Sequence, residues 1–265
     1  MKITVSVLAM MLAASAAVAE TTTTTAPSLP LSASVEFDVS KNSTTDKYVG
    51  KTTLGIDLNS TGPAFGGFDI KITDGSIALG DWQIGTTVDA GTVSLGKQGD
   101  LFPDAGLEVV GSTTLANPTV NESIIAKVGN FSIMTGFDDL TSDVTDLDNV
   151  QLSYGVDLGS FATTAAIDYN TDTEKKAYAL GTSVDLQAGF TVGGVATYAD
   201  DKLAYEANVS SGAMTVFANG DEDNTLQHVG AGVKGKLAGL DVYAEASYDT
   251  DAEDLTPAVG VSFKF

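Results

Sequence analysis

The sequence contains no cysteine. Neither a disulfide framework nor a thiolate-held metal can therefore support the fold. It also contains no arginine, so all 13 basic residues are lysine. A single histidine rules out a multi-histidine metal site. There is no P-loop, no G-x-G-x-x-G and no zinc spacing, so nucleotide-dependent chemistry has no foothold. Beyond residue 19 no apolar run approaches the roughly 20 residues that a membrane helix needs. No segment shows a helical period either.

What is abundant is acid. Against the lysines stand 35 Asp and Glu residues, for a net charge of −22. Such a surface repels nucleic acid and attracts cations. Acidic chains can be disordered, but 43% hydrophobic residues argue for a packed fold with acidic loops.

The N-terminus reads as an export signal. Lys2 supplies a basic start, Val5 to Val18 are small or apolar, and Ala17-Val18-Ala19 forms an A-x-A-like cleavage site. Residues 1–19 are expected to be removed. Residues 20–30 are a Thr/Pro leader of low complexity. The structured part is expected to run from 31 to 265.

From Leu31 onward, short runs alternate apolar and polar residues between Gly, Asn and Asp, which is the signature of strands. About sixteen such runs can be counted. Val35, Phe37 and Val39 share one face, with Glu36 and Asp38 on the other. Leu54, Ile56 and Leu58 likewise oppose Asp57, and Val242, Ala244 and Ala246 oppose Glu245. The connections differ in kind. Some are tight, such as Gly129-Asn130, Leu158-Gly159 and Ala238-Gly239. Others are longer and acidic, such as Asp138 to Asp148, Gly220 to Asn224 and Thr250 to Leu255. Transmembrane barrels put short turns at one end and longer loops at the other.

A soluble sandwich would also alternate. Three features favour a barrel. The apolar face recurs on nearly every run. The opposite face carries charge, at Glu36, Lys51, Asp57, Lys71 and Glu245. Aromatics gather toward strand ends, at Tyr48, Trp82, Phe137, Phe161, Tyr169, Tyr198, Tyr248, Phe263 and Phe265, as interface girdles would. The expected fold is all-β, a transmembrane antiparallel β-barrel of about 16 strands. Lipid solvates no free edge, so the sheet must close, and that many strands leave a water-filled bore.

Two motifs carry a family resemblance. The final run, Ala258 to Phe265, alternates Val259, Val261, Phe263 and Phe265 on one face. It resembles the C-terminal signal that the barrel assembly machinery reads, with Val261, Phe263 and Phe265 as its core. Residues 91–98, Gly-Thr-Val-Ser-Leu-Gly-Lys-Gln, are similar to a run on the fifth strand of Gram-negative general porins. In that family the next segment is a third loop folded into the bore. Here residues 99–121 lack strand alternation and contain Pro103-Asp104-Ala105-Gly106, which resembles the Pro-acid-Gly run of porin constriction loops.

The resemblance implies a passive channel in the outer membrane, surrounded by lipid and lipopolysaccharide, probed by small solutes, and assembled as a homotrimer. It implies a constriction in which Asp100, Asp104 and Glu108 face Lys51, Lys71 and Lys97. The sequence departs from the family in having Lys97 where arginine is usual and no arginine cluster. Lys97 also shares parity with Val93 and Leu95, so it reaches the bore only across a bulge. Glu36, Asp38, Asp57, Asp168, Glu206, Glu245 and Asp249 are expected to make the lumen negative and the channel cation-preferring.

Other readings remain at this stage: a substrate-selective channel on the same fold, a structural or adhesin barrel without a bore, and a surface enzyme. For the last, His228 with Ser or Asp partners is the only candidate, and a strand-end lumen histidine fits its surroundings better. No cofactor is expected. Acids in the loops, Asp138, Asp139, Asp143, Asp146 and Asp148, or Asp221, Glu222 and Asp223, or Asp249, Asp251, Glu253 and Asp254, have the oxygens to bind Ca²⁺ or Mg²⁺. None has EF-hand spacing, and a solvated loop explains them more simply.

Overall fold

The structure is a computed structural model and describes residues 31–42, 45, 47–59, 62–73, 76–103, 118, 120–138, 147–186, 189–223 and 225–264. The export signal and leader expected at residues 1–30 lie outside this set, as does Phe265.

Every regular element among the described residues is a strand. In chain order they are β1 (Leu31–Asn42), β2 (Lys47–Asn59), β3 (Ala64–Thr73), β4 (Ser76–Val88), β5 (Gly91–Lys97), β6 (Glu122–Val128), β7 (Phe131–Phe137), β8 (Leu147–Asp157), β9 (Phe161–Asn170), β10 (Lys176–Leu186), β11 (Phe190–Ala199), β12 (Lys202–Ser211), β13 (Met214–Asp221), β14 (His228–Leu237), β15 (Leu240–Asp249) and β16 (Asp254–Lys264). Each pairs antiparallel with its neighbours, and β16 returns to β1, so the sheet closes. At the seam Val35 pairs with Phe263 and Phe37 with Val261. The terminal strand therefore supplies the closing ladder, and the expected assembly residues Val261 and Phe263 lie on it.

The long connections, residues 98–121, 138–146, 171–175 and 222–227, all fall at one end. The other end has tight turns, such as 129–130 and 212–213, with Gly129 and Gly212 at φ +57°. That backbone conformation favours glycine over residues with a Cβ.

Polarity is inverted relative to a water-soluble protein. Side chains facing the bore are polar, and several are buried there, among them Gln151, Asn149, Asp168, Glu206, Asn219 and Glu245. Large apolar side chains on the opposite parity face outward and are exposed, including Leu79, Ile84, Ile133, Leu152, Leu180 and Val216. Two of the aromatics expected in girdles sit elsewhere. Trp82 lies mid-strand in β4, and Phe137 is buried at a bulge between β7 and β8.

Three aromatics cover glycines directly across a rung: Phe65 over Gly85, Phe217 over Gly230 and Tyr243 over Gly260. A Cβ at any of these glycines would fall 2.2–2.4 Å from the ring. Glycine weakens a strand, and a ring laid across it restores packing. The Tyr243 hydroxyl continues past Gly260 to donate to the Asp38 carboxylate on β1. One side chain thus ties β15, β16 and β1 together at the seam.

Tyr243→Phe is expected to lower the unfolding free energy by about 1.5–3 kcal/mol, the range for a hydrogen bond to a charged group. Urea titration of the protein folded in lipid measures this. On the outward face, Leu152→Arg should cost about 2–4 kcal/mol in the same assay, the range for a cation at the middle of a lipid-facing strand. Ser153→Arg, one residue along and facing the bore, should cost far less.

Candidate functional site

The site is the interior of the barrel where the chain leaves β5. Ser94 Oγ donates to Gln98 Oε1 at 2.5 Å, fixing the strand end. Asp100 then turns its carboxylate back to accept the Phe102 amide at 2.7 Å, an Asx turn. The Leu101 amide donates to Oε1 of Gln151 on β8 at 2.7 Å. Phe102, 7% exposed, packs against Ala166 of β9 and Ala177 and Ala179 of β10. Pro103 sits over Gly181, where a Cβ would fall 2.5 Å from its ring. The segment therefore passes inside β6, β7 and β8 and docks on β9 and β10. The inward-folded third loop is present in its root. On the return side, Val120 packs over Gly136 of β7, and Asn121 Nδ2 donates to Asp138 at 3.1 Å.

The dock consists of small residues, which no sequence motif singles out. Ala166, Ala177, Ala179 and Gly181 occupy bore-facing positions that elsewhere carry polar side chains. Small residues clustered on the polar parity of adjacent strands were the available signal.

The expected constriction residues divide into three groups. Lys51 and Lys71 face the bore on β2 and β3, diagonal to one another across the ladder, in which Lys51 pairs with Thr73 and Thr53 with Lys71. A bulge between β3 and β4 brings Asp81 inward, and Lys71 Nζ meets its carboxylate at 3.1 Å. Gly80 leaves space for the Lys71 stem, since a Cβ there would fall 2.6 Å from Lys71 Cε. Lys97 does not join them. The β4–β5 register is regular and pairs Lys97 with Trp82 on the outward parity. With no bulge to reverse it, the alternation of Val93 and Leu95 carries Lys97 outside. Asp100 faces its own backbone and serves the turn. Asp104 and Glu108 lie outside the described residues.

The expected lumen acids share the inner face. Glu36, Asp38 and Asp57 lie on the Lys51 parity of β1 and β2, while Glu206 and Glu245 are buried within the bore. Further lysines, Lys127, Lys234 and Lys236, also have inward parity. They pair across rungs with Thr92, Tyr243 and Asp241. Applying the alternation rule to β6 and β14 would have found them. His228 opens β14 on the inner face, with Nδ1 3.0 Å from Asn219 Oδ1 and Nε2 3.3 Å from Asp249 Oδ2. These partners fit a lumen histidine. Of the loop acids considered for divalent ions, Asp139, Asp143 and Asp146 lie outside the described residues. Among the described residues, no group of three or more His, Cys, Asp or Glu is placed to hold a metal.

No family model and no curated protein matches the sequence. Solved structures do match. A triple-mutant form of Rhodopseudomonas blastica porin is 15% identical, with 89% of this chain and 100% of that chain covered and a TM-score of 0.63. Salmonella typhi OmpF in complex with daunomycin is 10% identical, with 90% and 98% covered and a TM-score of 0.65. A loop-deleted OmpT, an outer membrane protein of Vibrio cholerae, is 12% identical, with 91% and 100% covered and a TM-score of 0.60. The chain has the fold of these porins.

Undocking the loop root tests its anchoring. In both Phe102→Ala and Gly181→Leu, the Leu101 amide should exchange hydrogen faster than in the wild type, while amides in β9 and β10 stay protected. Hydrogen-exchange mass spectrometry reads both.

Proposed function

We propose that the protein is an outer-membrane porin, a passive diffusion channel for small hydrophilic solutes and ions with a preference for cations. One observation carries this reading. The barrel is polar inside and apolar outside, and a loop root leaves β5 and runs inside the barrel to dock on β9 and β10. An apolar exterior suits lipid, and a closed ladder leaves no unpaired backbone in it. A polar interior lets solutes keep hydrogen-bonding partners as they cross, and a loop within it sets the size limit. No moving part is required.

The cation preference rests on charge. The sequence has 35 acids against 13 lysines, and Lys41, Lys71, Lys175, Lys202 and Lys236 each lie within 3.1 Å of an aspartate. Part of the positive charge is thus compensated locally, and the surplus is negative. In this reading residues 1–19 direct export and are removed. The barrel assembly machinery recognises the last strand. Lipid and lipopolysaccharide surround a trimer of barrels.

Purified protein in planar bilayers under a KCl gradient tests the reading. The expected result is a stable ohmic conductance with a zero-current potential of cation sign. A potential of anion sign would overturn the ion preference. Bilayers that stay closed would favour a structural or adhesin barrel.

A further inference from the structure

The wall of the bore carries charge over much of its height, and one part of it carries none. Between Phe102 and the tight-turn end, β9 to β12 enclose a recess of about 350 Å³ beneath Pro103. That is the lower end of small-molecule sites, which span roughly 300–1,000 Å³. Its lining has no ionisable side chain. The polar groups facing it are Thr164, Ser183, Thr191 and Asn208.

Glycine makes this room. At Gly193 a Cβ would fall 2.9 Å from Asn208 Oδ1, so any larger residue would displace that amide. Gly181 similarly leaves space for Pro103, which roofs the recess. The hydroxyls of Thr164 and Ser183 have no hydrogen-bond partner among the described residues. Thr191 Oγ1 donates to Asp185 Oδ1 at 2.7 Å and keeps its lone pairs for another donor. A hydroxyl both donates and accepts. A ring of such groups matches a solute that itself carries hydroxyls. An anion would lose hydration there without meeting a counter-charge. Asp185 below and Glu206 above, two residues along β12 from Asn208, disfavour anions further.

We infer that this recess is a transit subsite for small, neutral, polyhydroxylated solutes, entered just past the docked loop root. The inference rests on the channel reading above and names a solute class that such a channel would hold briefly.

Single-channel recording in KCl with glucose as the probe tests it. The expected result is a fall in current that saturates with glucose, on top of the proportional fall due to bulk conductivity. Each curve is normalised to the sugar-free current of the same protein. In the double variant Thr164→Val with Ser183→Ala, the apparent affinity should weaken about tenfold, the effect of losing two hydrogen bonds of ordinary strength. Gly193→Leu, which fills the recess, should remove the saturable component. A purely proportional fall, equal in all three proteins, would overturn the inference and leave the channel reading intact. So would a saturable component that persists unchanged in Gly193→Leu. The absence of any current would overturn the channel reading, and the inference with it.

Discussion

Closure of the β1–β16 ladder is the constraint on which everything else depends. In hydrocarbon an unpaired backbone amide or carbonyl costs several kcal/mol, so an open edge is not tolerated. Once the sheet closes, every side chain points either into the bore or out of it, and the alternation of the strands becomes a division between two solvents. The seam where this is achieved carries an additional tie. Tyr243 on β15 lies over Gly260 on β16 and reaches Asp38 on β1.

The same alternation explains what could be read from the chain directly. Strand number, strand limits and the two faces follow from a period of two, and the structure places Glu36, Asp57, Lys51 and Lys71 on the inner face as that period requires. The contrast between tight and long connections gave the two ends of the barrel. The match to known porins lies in this architecture, with identities of only 10–15%. A barrel constrains which positions are apolar far more than which apolar residue fills them.

Other features were out of reach for physical reasons. A family motif suggested that Lys97 belonged to the constriction, while parity placed it outside, and the regular register shows that parity prevails. Asp81 turns inward through a bulge, and one extra residue in a strand reverses the face of all that follow. The dock for Phe102 is built from Ala166, Ala177, Ala179 and Gly181, residues whose contribution is the space they leave. In a one-dimensional pattern such residues read as weak strand formers. Only the register, which brings β9 beside β10 within reach of the chain leaving β5, turns them into a receiving surface.

The route of the loop root has a mechanical consequence. Residues 98–103 begin on β5, bond to Gln151 on β8 and end against β9 and β10. They span the interior as a chord spans a circle. A closed sheet resists stretching along its hydrogen bonds, but it can flatten toward an ellipse under the lateral pressure of a bilayer. A chord held at both walls opposes that flattening along its own line. Stiffness of the barrel along that line and the position of the loop root in the passage therefore depend on the same few contacts. In the membrane setting proposed above, a change in lipid that deforms one would be felt by the other.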